Sequence, residues 1–286
     1  MKTILKTLLA AVLFLFISQS GAFAQGCVAI RSTGGICTMN EHPDSNGTAG
    51  YWLINSNSRY YKSFRHYVGK DEQKERIELH NNVINKVYTQ DITLTRVLDN
   101  RWSLSFDLPF ADNSRSQVNN GKRFSTHSFG IGDIHLSGYY WLFNPAKATK
   151  GNIQVGLGVK FASGAYNYQD YFLNAATGVR TLGAVDQSIQ LGDGGTGITG
   201  EINAYYNLSH TFGFYGNFYY LVSPRDVNGV ARSTNTPSAT TIAATGDVLS
   251  VPDQMLIRFG ASLAVNKFDF SLGLRDDCLP VKDLVG

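Results

Sequence analysis

The sequence predicts an all-β protein: an antiparallel up-and-down transmembrane β-barrel of the outer-membrane type. Three observations lead there. Nine runs alternate apolar and polar residues with the period of two that sends side chains to opposite faces of a sheet. Turns of two to about seven residues alternate strictly with loops of about 14 to 34, the asymmetry of barrels whose short turns face the periplasm. A secretory leader heads the chain, and no later window approaches the ~18 apolar residues of a transmembrane helix.

The leader occupies residues 1–24, with Lys2 and Lys6 ahead of the apolar run 8–17 and the small-x-small triplet Ala22-Phe23-Ala24 at its end. Cys27 follows Gly26 as a lipidated cysteine would, but Ala24 and Gln25 match the Leu-small-small pattern poorly. Residues 25–50 form a short periplasmic segment, and the barrel occupies 51–286. In the segment, Cys27 and Cys37 are candidates for a disulfide in an oxidising compartment. Cys278 falls on the other side of the membrane, out of their reach.

The first strand lies within residues 51–68 and a charged loop, 69–82, follows it. The second, 83–98, sets Ile84, Tyr88, Ile92 and Leu94 against Asn85, Thr89, Asp91 and Thr93. After Asp99-Asn100-Arg101 the third sets Trp102, Leu104, Phe106, Leu108 and Phe110 against Ser103, Ser105 and Asp107. Residues 111–126 are polar and read as a loop. The fourth run, 128–143, and the fifth, 153–161, flank a turn at Asn144-Pro145. A long loop, 163–196, leads to the clearest hairpin, whose arms 197–208 and 212–222 meet at Ser209-His210-Thr211. Loop 223–253 precedes the eighth and ninth strands, which turn at Asn266-Lys267. Leu208 and Phe212 share a face across a three-residue turn, and Val265 and Phe268 share one across a two-residue turn, as hairpin register requires.

Composition agrees. Aromatic residues make up 12% and charged residues only 16%, below the usual quarter of a soluble domain. Two of the 25 basic residues lie in the leader, which leaves 23 against 22 acidic ones. That balance excludes nucleic acid as an expected partner. A soluble β-sandwich also alternates faces, but it explains neither the alternating loop lengths nor the aromatics near strand ends: Trp102, Tyr140, Phe212 and Phe268 by turns, Phe110 and Tyr220 by loops. Nine strands are odd, whereas single-chain bacterial barrels are even. Either at least one C-terminal strand is missing or the count is off by one.

Asp107, Asp133, His135, Lys160, Glu201, Arg258, Asp269 and Arg275 all fall opposite the apolar stripe, so they line the lumen. Lys160 with Glu201, and Asp107 with His135, are expected to approach as neighbours beside loops. Such charges serve either as internal ion pairs or as substrate contacts. Arg258 and Arg275 should face each other and so require an acidic or anionic partner. Asp133-x-His135-x-Ser137 has the residue types of a hydrolase, but alternate strand residues stand about 7 Å apart, and a phospholipase must work from the lipid side. No enzyme activity, cofactor or metal site is expected. The glycine run 192–197 lacks the Gly-Lys-Ser/Thr of a phosphate loop and the repeated Asp of a calcium repeat.

Gly130-Ile131-Gly132-Asp133-Ile134, Lys160-Phe161-Ala162-Ser163-Gly164 and Leu191-Gly192-Asp193-Gly194-Gly195-Thr196-Gly197 resemble motifs of the outer-membrane barrel family called "putative MetA-pathway of phenol degradation". The likeness spans about residues 51–275. Ala162-Ser163 departs from the family's usual Pro-Thr or Pro-Ser. The resemblance implies a barrel in the bacterial outer membrane, in contact with its lipid, that passes small hydrophobic or aromatic solutes. Inward Tyr139, Trp141, Tyr205, Tyr215 and Tyr219 suit that cargo. The alternative is a closed structural barrel whose loops 163–196 and 223–253 engage partners outside the cell.

Overall fold

A computed structural model of the chain describes residues 50–68, 71–174, 176–231, 243, 248–265 and 268–280. The leader, Cys27, Cys37 and the turn at 266–267 lie outside the described residues. In chain order the elements are β1 (Trp52–Ser63), β2 (Tyr67–Val68), β3 (Asp71–Glu72), the one-turn helix α1 (Glu75–Glu78), β4 (Ile84–Val97), β5 (Trp102–Asn119), β6 (Lys122–Ile131), β7 (His135–Trp141) and β8 (Gly151–Lys160). There follow β9 (Gln169–Leu173), β10 (Arg180–Ala184), a 3-10 turn at Gln187–Ile189, β11 (Gly197–Asn207), β12 (Phe212–Val222), β13 (Val227–Ala231), β14 (Val248–Ser250), β15 (Gln254–Val265) and β16 (Phe268–Cys278). Among the described residues no helix is long and apolar enough to cross a membrane.

Ten strands form one antiparallel sheet, nine of them in the order β1-β4-β5-β7-β8-β11-β12-β15-β16 and β6 paired to β5 beside that path. The nine periodic runs therefore pair in the order in which they are written. The sheet curls into a half-barrel. Its curl brings Val87 and Thr89 of β4 around the same cavity as Tyr219 of β12 and Gln254 of β15.

The faces are inverted relative to a water-soluble sheet. On β11 the side chains of Thr199, Glu201 and Asn203 are buried, while Ile198 and Ile202, which alternate with them, are exposed. On β8 Leu157 is 69% exposed; on β5 Asp107 is 1% exposed. Exposed Leu104, Leu136, Leu157, Ile202 and Phe214 continue the apolar belt from strand to strand.

Three glycine positions let two large inward side chains lie flat. A Cβ on Gly156 would sit 2.6 Å from the Tyr139 ring, and Cβ atoms on Gly260 and Gly273 would sit 2.6 and 2.5 Å from the Tyr215 hydroxyl. Tyr139 thus covers bare backbone on the neighbouring β8, and Tyr215 covers it on β15 and on β16 beyond, the way an aromatic ring compensates a strand glycine.

Four expected loops carry structure. Residues 111–126 are not a loop: β5 runs on to Asn119 and returns as β6 through Asn120-Gly121, both at positive φ (46° and 74°). Asn-Gly is the dipeptide that a tight type I′ hairpin turn favours, so the signal was present in the polar stretch. The single fourth strand is two strands, β6 and β7, interrupted at 132–134. The break falls opposite Pro109, whose ring has no N–H to donate and whose carbonyl accepts from the Gly132 N–H instead. Loop 163–196 contains the β9–β10 hairpin and the 3-10 turn, and loop 223–253 contains the β13–β14 pair. The charged loop 69–82 carries β3 and α1.

Candidate functional site

The interior holds three polar clusters. In the first, the break between β6 and β7 frees Asp133 from the ladder and turns its carboxylate toward Lys160 at the end of β8. Lys160 Nζ lies 3.1 Å from Asp133 Oδ2 and 2.5 Å from Asp193 Oδ1. The Gly164 N–H donates to Asp133 Oδ1 at 2.9 Å and the Asp193 N–H to Oδ2 at 3.2 Å. Gly132, Gly164 and Gly192 pack backbone to backbone around this node, with hypothetical Cβ atoms on Gly164 and Gly192 as close as 2.9 and 2.5 Å to main-chain atoms of the opposing segments. The three Gly-rich motifs noted in the sequence meet here.

In the second, Asp107 on β5 accepts the Thr93 hydroxyl and lies 3.3 Å from His135 Nδ1 on β7. His135 Nε2 is 2.7 Å from the Thr199 hydroxyl on β11. The expected Asp107–His135 approach is found. Ser137 also reaches His135, at 3.2 and 3.3 Å from the two ring nitrogens. Alternate residues are therefore not too far apart here, because the imidazole tilts along the strand toward its neighbour. The hydroxyl is equidistant from both nitrogens, so it points along neither lone pair, as a base-activated nucleophile would have to. The acid that orients His135 is Asp107; Asp133 is engaged by Lys160.

The third cluster holds Glu201. Tyr139 Oη donates to it at 2.8 Å and Asn217 Nδ2 at 2.9 Å. The expected Lys160–Glu201 approach is absent, because the ladder sets Lys160 opposite Gly197 and Glu201 opposite Gly156, four residues apart. Lys160 is matched instead by Asp193, a loop residue that strand periodicity could not place.

Arg258 and Arg275 face each other across the β15–β16 ladder as expected. Arg275 pairs with Asp277 at 2.8 Å, and the Arg258 guanidinium lies over the Tyr215 ring at 5.2 Å. Asp269 and Arg275 stand on β16, the last strand of the sheet, and are exposed. Asp269 borders an open vestibule of about 650 Å3 at the short-turn end, together with Tyr205, Asn207, Tyr215 and Ser262.

At the other end the long loops fold inward. The Ser128 hydroxyl donates to the Ile189 carbonyl, and Arg115 reaches Asp186 at 3.3 Å. Gln187 Nε2 donates to the Ser250 hydroxyl at 2.8 Å, and Asn228 Nδ2 to the Asp193 carbonyl at 3.0 Å, which ties one inner loop to the other. Apart from half-buried Asp186, residues 185–195 are buried among the wall strands as an internal plug. Beneath it lies a cavity of about 40 Å3 bordered by Asp133, His135, Lys160 and Asp193.

Among the described residues no group of three or more His, Cys, Asp or Glu is arranged to hold a metal ion, and Cys278 is a free thiol. No family model matches the chain, and no curated protein matches it.

Proposed function

We propose that this chain forms the wall of an outer-membrane β-barrel that passes small hydrophobic or aromatic molecules, with residues 185–195 as its internal plug. The observation that carries the membrane part is the inverted polarity of the wall. Soluble monomers rarely expose a contiguous apolar patch beyond roughly a few hundred Å2, yet this belt crosses successive strands while charged groups are buried. A hydrocarbon surround would turn that belt into a favourable contact and leave the polar ladder satisfied from strand to strand.

The passage part is supported by aromatic Tyr205 and Tyr215 in the vestibule, and by the resemblance of the three Gly-rich motifs, which converge on Lys160, to those of the phenol-degradation barrels. Because the cavity beneath the plug admits only a few waters, a solute crosses only when the plug moves. The same small cavity favours a second reading, a closed structural barrel that displays its outer hairpins to partners.

Liposome swelling with the full-length protein separates the two. Uptake of small aromatic solutes, faster after the plug anchors are removed by Arg115→Ala with Gln187→Ala, supports passage. No permeability in either protein refutes it.

A further inference from the structure

Four residues that line the same cavity each carry a buried oxygen with no hydrogen-bond partner: Thr89 Oγ1 on β4, Asn113 Oδ1 on β5, Asp193 Oδ2 in the plug and Gln254 Oε1 at the start of β15. Their residues are each less than a tenth exposed. Asn113 is oriented by its own bonds, since its Nδ2 donates to the Ser128 hydroxyl and the Ile189 carbonyl. Its oxygen is thereby left without a protein donor. A buried acceptor left unmade costs about 1–3 kcal/mol, so four around one space require a common donor or a cation.

Charge decides between them. Buried carboxylates among the described residues are Asp91, Asp107, Asp193, Glu201 and Asp253; the buried basic residues are Lys160 and His135. On the cavity wall itself two carboxylates, Asp133 and Asp193, face one lysine, with His135 beside them. Lys160 is already engaged by both acids, and it leaves Asp193 Oδ2 uncovered. One carboxylate oxygen, one hydroxyl and two amide oxygens form the donor set of a hard cation.

We propose that this cavity binds a single hard cation, held by Thr89, Asn113, Asp193 and Gln254. The net excess of one negative charge on the wall favours a monovalent ion of sodium size, and about 40 Å3 leaves room beside it for one or two waters. This inference rests on the curl of the sheet and not on passage of any solute.

The test is the unfolding midpoint of the folded full-length chain in sodium, potassium or calcium chloride, against N-methylglucamine chloride at equal ionic strength, since the organic cation is too large to enter. A saturable rise with a small cation is expected, and it should vanish in Thr89→Val with Gln254→Met. That variant removes two unpartnered oxygens, so its midpoint in N-methylglucamine should equal or exceed the parent's. Equal midpoints in all salts would mean that water alone fills the cavity and would overturn the proposal. A rise that survives in the variant would overturn it too, by placing the ion elsewhere.

Discussion

Replacing Lys160 by methionine should be among the most damaging single changes in the interior. The ammonium lies 3.1 Å from one carboxylate and 2.5 Å from another, and the three side chains are 9%, 9% and 3% exposed. Removing one partner of a buried ion pair costs about 3–5 kcal/mol, because a buried charge is left uncompensated. Here the loss falls mainly on Asp193. Asp133 keeps the N–H groups of Gly164 and Asp193, whereas Asp193 keeps only the Gly195 N–H, at 2.8 Å on Oδ1. Lys160→Met should therefore lose about 3–5 kcal/mol, and adding Asp193→Asn should recover a large part of it, since the second change removes the stranded charge. Equilibrium urea unfolding, followed by tryptophan fluorescence, measures both. A loss below about 1 kcal/mol for Lys160→Met, or no recovery in the double variant, would refute the reasoning, because Lys160 would then not be what neutralises the two acids.

Glycine substitutions should separate the two faces. Gly156→Val drives its side chain into Tyr139 and should cost about 1–3 kcal/mol. Gly200→Ala, an outward site with nothing within 4 Å of its Cβ, should leave stability unchanged or slightly raised, as the same unfolding curves would show. At the turn between β4 and β5, the N–H groups of Arg101 and Trp102 donate to Asp99 at 2.7 and 2.8 Å and hold its carboxyl below its ordinary value of 3.8. A depressed folded value means that this contribution is complete above the ordinary carboxylate range and is lost as pH falls through the lowered one. The midpoint gap between the wild type and Asp99→Ala should accordingly be constant near neutrality and close under strong acid.

The wall was legible in the sequence because its strands carry apolar residues on one face and polar residues on the other. A period of two then survives from Ile84 to Leu274. Hairpin parity also set the registers, including Arg258 opposite Arg275. What fills the wall was not legible. Asp193 is placed by Gly164 and Gly192 packing backbone to backbone, a tertiary fact without periodicity, so Lys160 was matched to the wrong acid. The Asn120-Gly121 turn does not stand out because polar residues surround it; β5 and β6 extend past the apolar belt, where alternation fades. Thr89, Asn113 and Gln254 are neutral oxygens scattered over three strands, and no spacing rule for His, Cys, Asp or Glu ligands finds them.

The central claim is that the exposed apolar face of the wall meets hydrocarbon. Leu157 stands 69% exposed in mid-strand on that face. The most direct measurement is the unfolding free energy of Leu157→Arg against the parent, both folded into lipid vesicles. An arginine near the bilayer midplane on a lipid-facing strand should cost about 2–4 kcal/mol. An unchanged or increased stability, as expected where an exposed leucine faces water, would contradict the account.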